Sequence, residues 1–407
     1  MKLGFAALSG AMTLLWGAPL IAGATDVINP IFASSVDVTQ FGFAQSEFVS
    51  LDSDPAAEAA ITAAANQVAS QFDNGVISNI VFVGIDAGTN GFLGASSSGQ
   101  TVYTYSQYVS ALAADAAAHP SNTILNTAVA NLASGNGASH GQLPVYVAAT
   151  TPDARALGLD LGAPTLYGTG DSSPEFDSSG NYVGGGGTAD GVIFLNLDQP
   201  LSFMRPIQNV SEGVAYDAET VMEHEIDEIM GIGGAGSQLN NFNDDPNYAR
   251  DFYGVRGELL GPMDLYRYAA PGVPSFDPLT VSVTGCGPPT CSGDPSPYFS
   301  VDGGLTSIDT FNQAFALIGG DAGDWGLNLS ALCPGGAGEG GTGDVQDAFS
   351  CNNHVADVSD GKPSFYAFEA IGYDLPEPAT WAIMLAGLCG LGAALRLKGR
   401  RRGMSTG

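Results

Sequence analysis

Apolar and polar residues follow one another along this chain with the periods of helices and strands. Asp54-Pro55 has the capping residue and first-turn proline of a helix start, and apolar residues then recur at helical spacing over residues 56–72. The apolar run Val76–Ile85 predicts a buried strand. The same pattern predicts further helices at Ser106–Ala118 and Ile124–Ala133, and further strands at Leu143–Ala149 and Ala189–Leu195.

Three other stretches complete the prediction of secondary structure. The short alternation Val36-Asp37-Val38 indicates an early strand, and Ser364–Asp374 indicates an amphipathic helix that closes the domain. Residues 150–187 lack a period and end in a run of four glycines, which is typical of a loop. Mixed helices and strands predict one α+β domain at residues 25–375.

Residues 217–231 carry the clearest chemical pattern. Asp217 can cap a helix that ends at Gly231 and the following glycine pair. His224 and Glu228 are four residues apart, so they lie on one helical face, and Glu225 is adjacent to His224. An imidazole and a carboxylate one turn apart can bind a metal ion. The alternative interpretation is a solvent-exposed helix end that carries three acids and a histidine without a metal.

The charge of the chain is strongly negative, with 42 acidic and 12 basic residues. Half of the bases lie in the terminal segments, at Lys2 and between Arg396 and Arg402. The part of the chain between the terminal segments is therefore strongly acidic, and such a surface repels nucleic acid and anionic membranes and attracts divalent cations. The sequence therefore predicts no nucleic-acid partner.

Acidic and amide residues cluster in three glycine-containing or Asn-rich segments: Gln238–Tyr248, Asp302–Gly304 and Gly319–Trp325. Their oxygen atoms suit Ca²⁺, but the spacing is not that of an EF-hand. Calcium is therefore a candidate ligand, and turns without a cation are the alternative.

Both termini have the composition of export signals. Residues 1–24 combine Lys2, an uncharged apolar segment and Ala22-Gly23-Ala24, which predicts a signal peptide for the Sec machinery; a membrane anchor is the alternative. An exported chain favours disulfide bonds among Cys286, Cys291, Cys333 and Cys351. Three pairings are open; Cys286–Cys291 with Cys333–Cys351 closes the shortest loops, and zinc binding by the four thiolates is the rival.

The C-terminal segment 376–402 has three parts. Pro376-Glu377-Pro378 comes first, residues 378–395 are uncharged and long enough for one transmembrane helix, and a basic cluster at residues 396–402 follows. This arrangement resembles the PEP-CTERM sorting signal of Gram-negative bacteria. The resemblance implies recognition by an exosortase, transient anchoring in the inner membrane, and release to the cell surface or the medium; a plain membrane anchor is the alternative.

The helix pattern resembles the His-Glu-x-x-His signature of zincin metalloproteases, with Glu228 at the second histidine position. Three later elements, Asp264–Tyr268, Tyr298–Gly304 and Gly319–Trp325, make the chain similar over about residues 30–375 to a group of exported bacterial zincin-like metalloproteases. The resemblance implies zinc, or another divalent metal, held by His224 and Glu228, with Glu225 as general base for a metal-bound water in peptide hydrolysis.

The third ligand is less determined. Asp264 is the candidate, because it is acidic and lies in a shared element; pairing with Arg267 or capping of a turn is the alternative. His354 is a reserve ligand, and His119 and His140 are expected in surface loops. In zincins the strand before the metal helix is an edge strand that pairs with the substrate, and Ala189–Leu195 occupies that place; an ordinary edge strand without such a role is the alternative.

The resemblance implies a zincin-like α+β fold: a twisted sheet beneath the metal helix and a C-terminal subdomain from about residue 232. The expected activity is that of an exported peptidase acting on proteins or peptides. A second hypothesis is a non-catalytic surface or matrix protein on a degenerate zincin scaffold, which binds calcium and has exopolysaccharide as its candidate partner.

Overall fold

The computed structural model describes residues 25–89, 91–132, 145–161, 165–166, 189–207, 215–239, 258–275, 297–312, 320–326, 343–359 and 361–376. Thr25–Pro376 form one compact unit. Seven α-helices lie in the described residues: α1 (Pro55–Ala69), α2 (Tyr105–Ala118), α3 (Thr123–Asn131), α4 (Thr151–Ala156), α5 (Ala218–Met230), α6 (Gly233–Gly236) and α7 (Pro363–Ile371).

The described strands form three sheets. The largest has eight strands: β1 (Val27–Phe32), β2 (Phe48–Val49), β3 (Ile77–Ile85), β4 (Gly94–Thr104), β5 (Val145–Thr150), β6 (Thr165–Leu166), β7 (Gly191–Asn196) and β10 (Glu258–Leu260). The others are β8 (Leu201–Ser202) with β9 (Tyr216–Asp217), and the four-stranded sheet of β11 (Arg267–Ala270), β12 (Val273–Pro274), β13 (Tyr298–Phe299) and β14 (Asp309–Thr310).

The order of the main sheet is β1-β3-β7-β4-β5-β10, with β2 beside β3 and β6 beside β4. Strands β1, β3 and β7 run parallel, and β4 is antiparallel to its three neighbours, β7, β5 and β6. The observed class is therefore mixed α+β, as the sequence predicts.

The two faces of the sheet are buried by different parts of the chain. Alternate residues of β3 point to opposite faces, as strand geometry requires. Ile80 and Phe82 belong to the large core that includes α1, α5 and α7, whereas Val81 and Val83 pack in a smaller core with Phe41 and its neighbours. The predicted helix at residues 56–72 is α1, and its capping residue Asp54 accepts from the backbone N–H of Ala56 at 3.0 Å.

Several predicted elements differ from those observed. Val36-Asp37-Val38 does not form a strand; a 3₁₀ turn at Val38–Phe41 lies there, and the first strand is β1. Residues 151–156 of the predicted loop form α4. The prediction of an edge strand at Ala189–Leu195 is wrong, because β7 lies between β3 and β4.

The C-terminal part of the described chain packs against α5, the helix that contains His224 and Glu228, and holds it in place. The Tyr373 hydroxyl donates to the carbonyl oxygen of Met230 (2.7 Å) at the end of α5. Tyr373 also packs against Phe72, 5.2 Å between ring centroids, so α7 and the residues after it join α1 and α5 in one core.

Buried Arg267, in β11, fixes a second segment near that helix. Its Nη1 donates to the carbonyl of Ala322 (2.8 Å), and its guanidinium lies 4.4 Å from the centre of the Phe311 ring. Trp325 is fully buried and its indole N–H donates to Ser364 Oγ (3.2 Å). Residues 320–326 are thereby positioned against α6 and α7.

No helix in the described ranges is long and apolar enough to cross a membrane. The predicted signal peptide (1–24) and the predicted transmembrane segment (378–395) lie outside the described residues, as do Gln238–Tyr248 from residue 240 onward and His140.

Candidate metal centre

Helix α5 begins and ends where the sequence predicts. The Asp217 carboxylate accepts from the backbone N–H of Thr220 (3.0 Å), and Gly231 takes a left-handed conformation, φ 118°, that favours glycine. Arg205 binds the capping residue through Nη2 to Asp217 Oδ2 (2.6 Å) and reaches Asp357 through Nη1 (2.5 Å). The first turn of α5 is therefore tied to the chain on both sides of it.

Three side chains converge at the middle of α5. His224 Nε2 lies 3.9 Å from Glu228 Oε1 and 4.0 Å from Asp324 Oδ1. One donor atom from each of the three residues lies within 4.8 Å of the other two. An imidazole nitrogen with two carboxylate oxygens is a donor set that binds divalent cations.

Each donor is oriented by a neighbour. His224 Nδ1–H donates to the carbonyl of Val345 (3.0 Å), and because a carbonyl can only accept, the lone pair is left on Nε2. Glu228 accepts from Ser96 Oγ (2.5 Å) and from the backbone N–H of Gly234 (2.9 Å). Asp324 accepts from the backbone N–H of Asp321 (2.8 Å). These contacts match the supporting bonds of metal ligands, and the residues fit a divalent cation.

Glu225 lies beside the group and faces β4. A Cβ added at Gly94 would lie only 2.6 Å from Glu225 Oε1, so the absence of a side chain in β4 leaves the room that this carboxylate occupies. Glu225 is 5% exposed and, with His224 and Glu228, lines a cleft of about 730 Å³. That volume is within the range of small-molecule and peptide subsites.

Burial and like charge act together on the acids of this cleft. Burial, with Glu228, Asp324 and Asp321 as negative neighbours, holds the pKa of Glu225 well above its usual range. Burial and the charges of Asp321 and Glu228 raise the pKa of Asp324 in the same direction. A cation among these groups would offset the repulsion and favour their charged forms.

The cleft also exposes part of β4 beside the acids. Residues 94–98 of β4 pair with β7, whereas the pairing of β4 with β5 begins at Gln100. Among the described strands, β7 alone pairs with Gly94–Ser96, and these residues line the cleft. The strand next to the acids is therefore β4, not the predicted Ala189–Leu195.

The structure brings His224, Glu225 and Glu228 together and places Asp264 elsewhere. Asp264 accepts from Ser237 Oγ (2.7 Å) and from the backbone N–H groups of Gln238 (3.0 Å) and Gly261 (2.8 Å). These hydrogen bonds agree with the alternative interpretation of Asp264, in which its carboxylate caps a turn. The third donor of the described group is Asp324, from the acidic glycine segment that the sequence analysis assigned to calcium or to a turn.

The other predicted residues have separate locations. His354 lies against Gly343: its Cε1 is 3.3 Å from the position that a Cβ at residue 343 would take. It does not belong to either described group of candidate metal donors. Cys351 forms a disulfide bond, and Cys286, Cys291 and Cys333 lie outside the described residues, so the pairing stays a prediction.

A second group of candidate donors lies at the far end of α2. His119 Nδ1 is 3.0 Å from both Asp115 Oδ1 and Asp374 Oδ2, and the three residues could hold a cation. Sequence reasoning placed His119 in a surface loop; it is the C-terminal cap of α2, and its side chain is 38% exposed.

Fold and site together define an α+β protein with a candidate centre for a divalent metal. No family model and no curated protein matches the sequence, and no solved structure matches the fold.

Proposed function

We propose that the protein is an exported, metal-dependent peptidase that belongs with the zincin-like metalloproteases its sequence resembles. The observation that carries this proposal is the convergence of His224 Nε2, Glu228 Oε1 and Asp324 Oδ1 beside Glu225 in an open cleft. Two ligands one turn apart on a helix, a third ligand from a later segment and an adjacent acid form the arrangement that metal-assisted hydrolysis needs.

A divalent cation bound by these three residues would polarise a peptide carbonyl and lower the pKa of a water molecule. In the proposed reaction Glu225, at the edge of the group, would accept a proton of that water and return it to the leaving amine. Ser96 and the N–H of Gly234 hold the Glu228 carboxylate, and Val345 holds the His224 ring.

Among the described strands, only β7 pairs with Gly94–Ser96 of β4, and this part of the strand supports a peptide as substrate. An extended peptide can add to a strand edge through main-chain hydrogen bonds, and Gly94–Ser96 lie in the cleft beside Glu225. In the proposed function, export follows the predicted signal peptide, and an exosortase processes the predicted tail at the cell envelope.

The test is Glu225→Gln in the full-length protein, with a fluorogenic peptide library as substrate. We expect kcat/KM to fall by about 10²–10⁴, the typical contribution of a general base, with metal content by elemental analysis unchanged. Glu219→Gln, in the same helix but outside the cleft lining, is the matched control and should keep full activity. Equal turnover of Glu225→Gln and wild type would remove the mechanism.

One observation favours a second candidate, a non-catalytic surface protein that binds calcium. The cleft sets five acids against one histidine, and oxygen-rich sites suit Ca²⁺; the acids are Glu225, Glu228, Asp321, Asp324 and Asp347. Calcium as the sole bound metal, together with binding to exopolysaccharide and no hydrolysis of any peptide, would favour this function over the first.

A further inference from the structure

Gln346 reaches into the candidate metal centre although the sequence pattern gives no sign of it. Its side chain is fully buried. Its Nε2 lies 3.2 Å from His224 Nε2 and 3.1 Å from Asp324 Oδ1, closer than either of those donors is to the other. The end of this amide is therefore located between two of the three proposed ligands.

The Gln346 amide can face the candidate ligands with either its nitrogen or its oxygen. The nitrogen and oxygen of a carboxamide have nearly the same shape, and their assignment rests on the neighbouring donors and acceptors. As placed, the NH₂ group also lies 3.4 Å from His224 Nδ1, which carries its own hydrogen toward Val345, while Gln346 Oε1 is buried with no hydrogen-bond partner. Without a cation the NH₂ group faces two acceptors, His224 Nε2 and Asp324 Oδ1, and Gln346 Oε1 is left without a partner. A cation between those acceptors would repel the NH₂ group and attract the oxygen, and so favour the reversed amide.

Reversal of the amide puts its oxygen beside His224 Nε2 and Asp324 Oδ1. Adjacent donors about 2.1 Å from one cation are about 3.0–3.4 Å apart in octahedral or tetrahedral geometry, and the end of the amide has this spacing from each of these two atoms. A neutral carbonyl-type oxygen also adds a ligand without adding another negative charge to a group already rich in carboxylates.

The surrounding chain fixes Gln346 in this place. Its backbone N–H donates to Asp344 Oδ1 (3.0 Å), and its carbonyl accepts from the N–H of Trp325 (3.0 Å). Gly233, in the left-handed region at φ 58°, passes so close that an added Cβ would lie 2.2 Å from Gln346 Nε2. The glycine after α5 therefore leaves the space that the amide fills.

We propose that Gln346 is a fourth metal ligand, which binds through its amide oxygen the cation held by His224, Glu228 and Asp324. The inference rests on the metal centre of the proposed function, but it does not require that the protein hydrolyse peptides. It gives a donor set of one nitrogen and three oxygens, which suits Mn²⁺ and Co²⁺ as well as Zn²⁺.

The test compares Gln346→Met and Gln346→Glu in the full-length protein with Gln238→Met as control. Gln238 is a buried glutamine whose Oε1 also lacks a partner, and it hydrogen-bonds Gln100, outside the metal group. Binding of Co²⁺ and Mn²⁺ is measured by calorimetry, and the visible absorption of bound Co²⁺ reports the number of ligands.

If Gln346 is a ligand, Gln346→Met should weaken Co²⁺ binding by a factor of about 10–100. It should also raise the molar absorption of bound Co²⁺, because the coordination number falls. Gln346→Glu should restore affinity, since a carboxylate oxygen replaces the amide oxygen, and Gln238→Met should bind as wild type does.

If Gln346 only donates N–H to Asp324 and does not bind the cation, Gln346→Met should bind Co²⁺ with the wild-type affinity, or the Co²⁺ spectrum of Gln346→Met should equal that of wild type. Either result overturns the inference. A wild-type protein that binds Co²⁺ with the expected variant pattern but cleaves no peptide leaves the ligand assignment intact and removes the peptidase function alone.

Discussion

Replacement of Asp324 by Asn should change the stability of the protein in opposite directions with and without a divalent cation. In the folded chain Asp324 is buried among acids, with a carboxylate oxygen within 4.8 Å of one of Glu228. Two like charges at that separation repel by about 3.5 kcal/mol at an effective dielectric constant of about 20. Asn removes this repulsion, so the variant should be as stable as wild type, or more stable, in EDTA.

With a cation present the sign reverses. A ligand that binds the folded state alone stabilises it by about 2.7 kcal/mol at 100 times its Kd, which for a chain of this size is a rise in Tm of about 3–4 °C. Wild type should show this rise in thermal unfolding on addition of Mn²⁺ or Zn²⁺. Asp324→Asn should show at most a small part of it, because a ligand and a compensating charge are gone.

Asp264→Asn is the matched control, since it makes the same substitution at the other acid considered as third ligand. Asp264 accepts three hydrogen bonds, so its variant should lose stability equally in EDTA and with cation and keep the full rise in Tm. A full rise in Asp324→Asn, or a lost rise in Asp264→Asn, would refute the assignment of Asp324.

Two further predictions concern the cleft and the pH dependence of folding. Gly94→Ala places a methyl group 2.6 Å from Glu225 Oε1, which should displace that flexible side chain and reduce kcat/KM at least tenfold while the affinity for Co²⁺ stays at the wild-type value; unchanged turnover would show that Glu225 does not need this position. Burial raises the pKa of Asp26 from 3.8 to about 6, so its contribution to the free energy of unfolding is greatest below pH 4 and is lost as the pH rises through 6. Asp26→Asn should flatten the decrease in stability between pH 4 and 7 in urea titrations, and an identical pH profile in the variant would contradict this account.

Local signals in the sequence were sufficient for the helix that carries the site. Asp217 and Gly231 terminate α5 through backbone contacts made within a few residues, and the spacing of His224 and Glu228 places them on one face. Most predicted helices and the long strand at Val76–Ile85 were also found, because their burial follows a regular period.

Strand β4 had no such signal. Its first half, Gly94–Ser98, is made of glycine, alanine and serine, which have low strand propensity and no apolar alternation. It is a strand because β7 pairs with it, and its small residues allow α5 to approach, with Glu225 packed over Gly94. A tertiary requirement for close packing therefore overrode the local preference.

The ligand set shows the same division. Asp324 was visible in the sequence only as part of an acidic glycine segment, which has no fixed spacing from His224. Its position depends on Arg267, which binds the carbonyl of Ala322, and on the burial of Trp325. Asp264 was the more attractive acid by proximity to the helix, yet three hydrogen bonds commit it to a turn.

The sequence by itself determined the mixed α+β class, the extent of α5 and the pair of candidate metal donors on it, because these depend on period and on contacts between near neighbours. The tertiary structure alone decided that Asp324 is the third member of the candidate group, that Gln346 reaches the same point and that β4 borders the cleft. Those positions depend on which distant segments pack together, and no local spacing along the chain encodes a distance across the core.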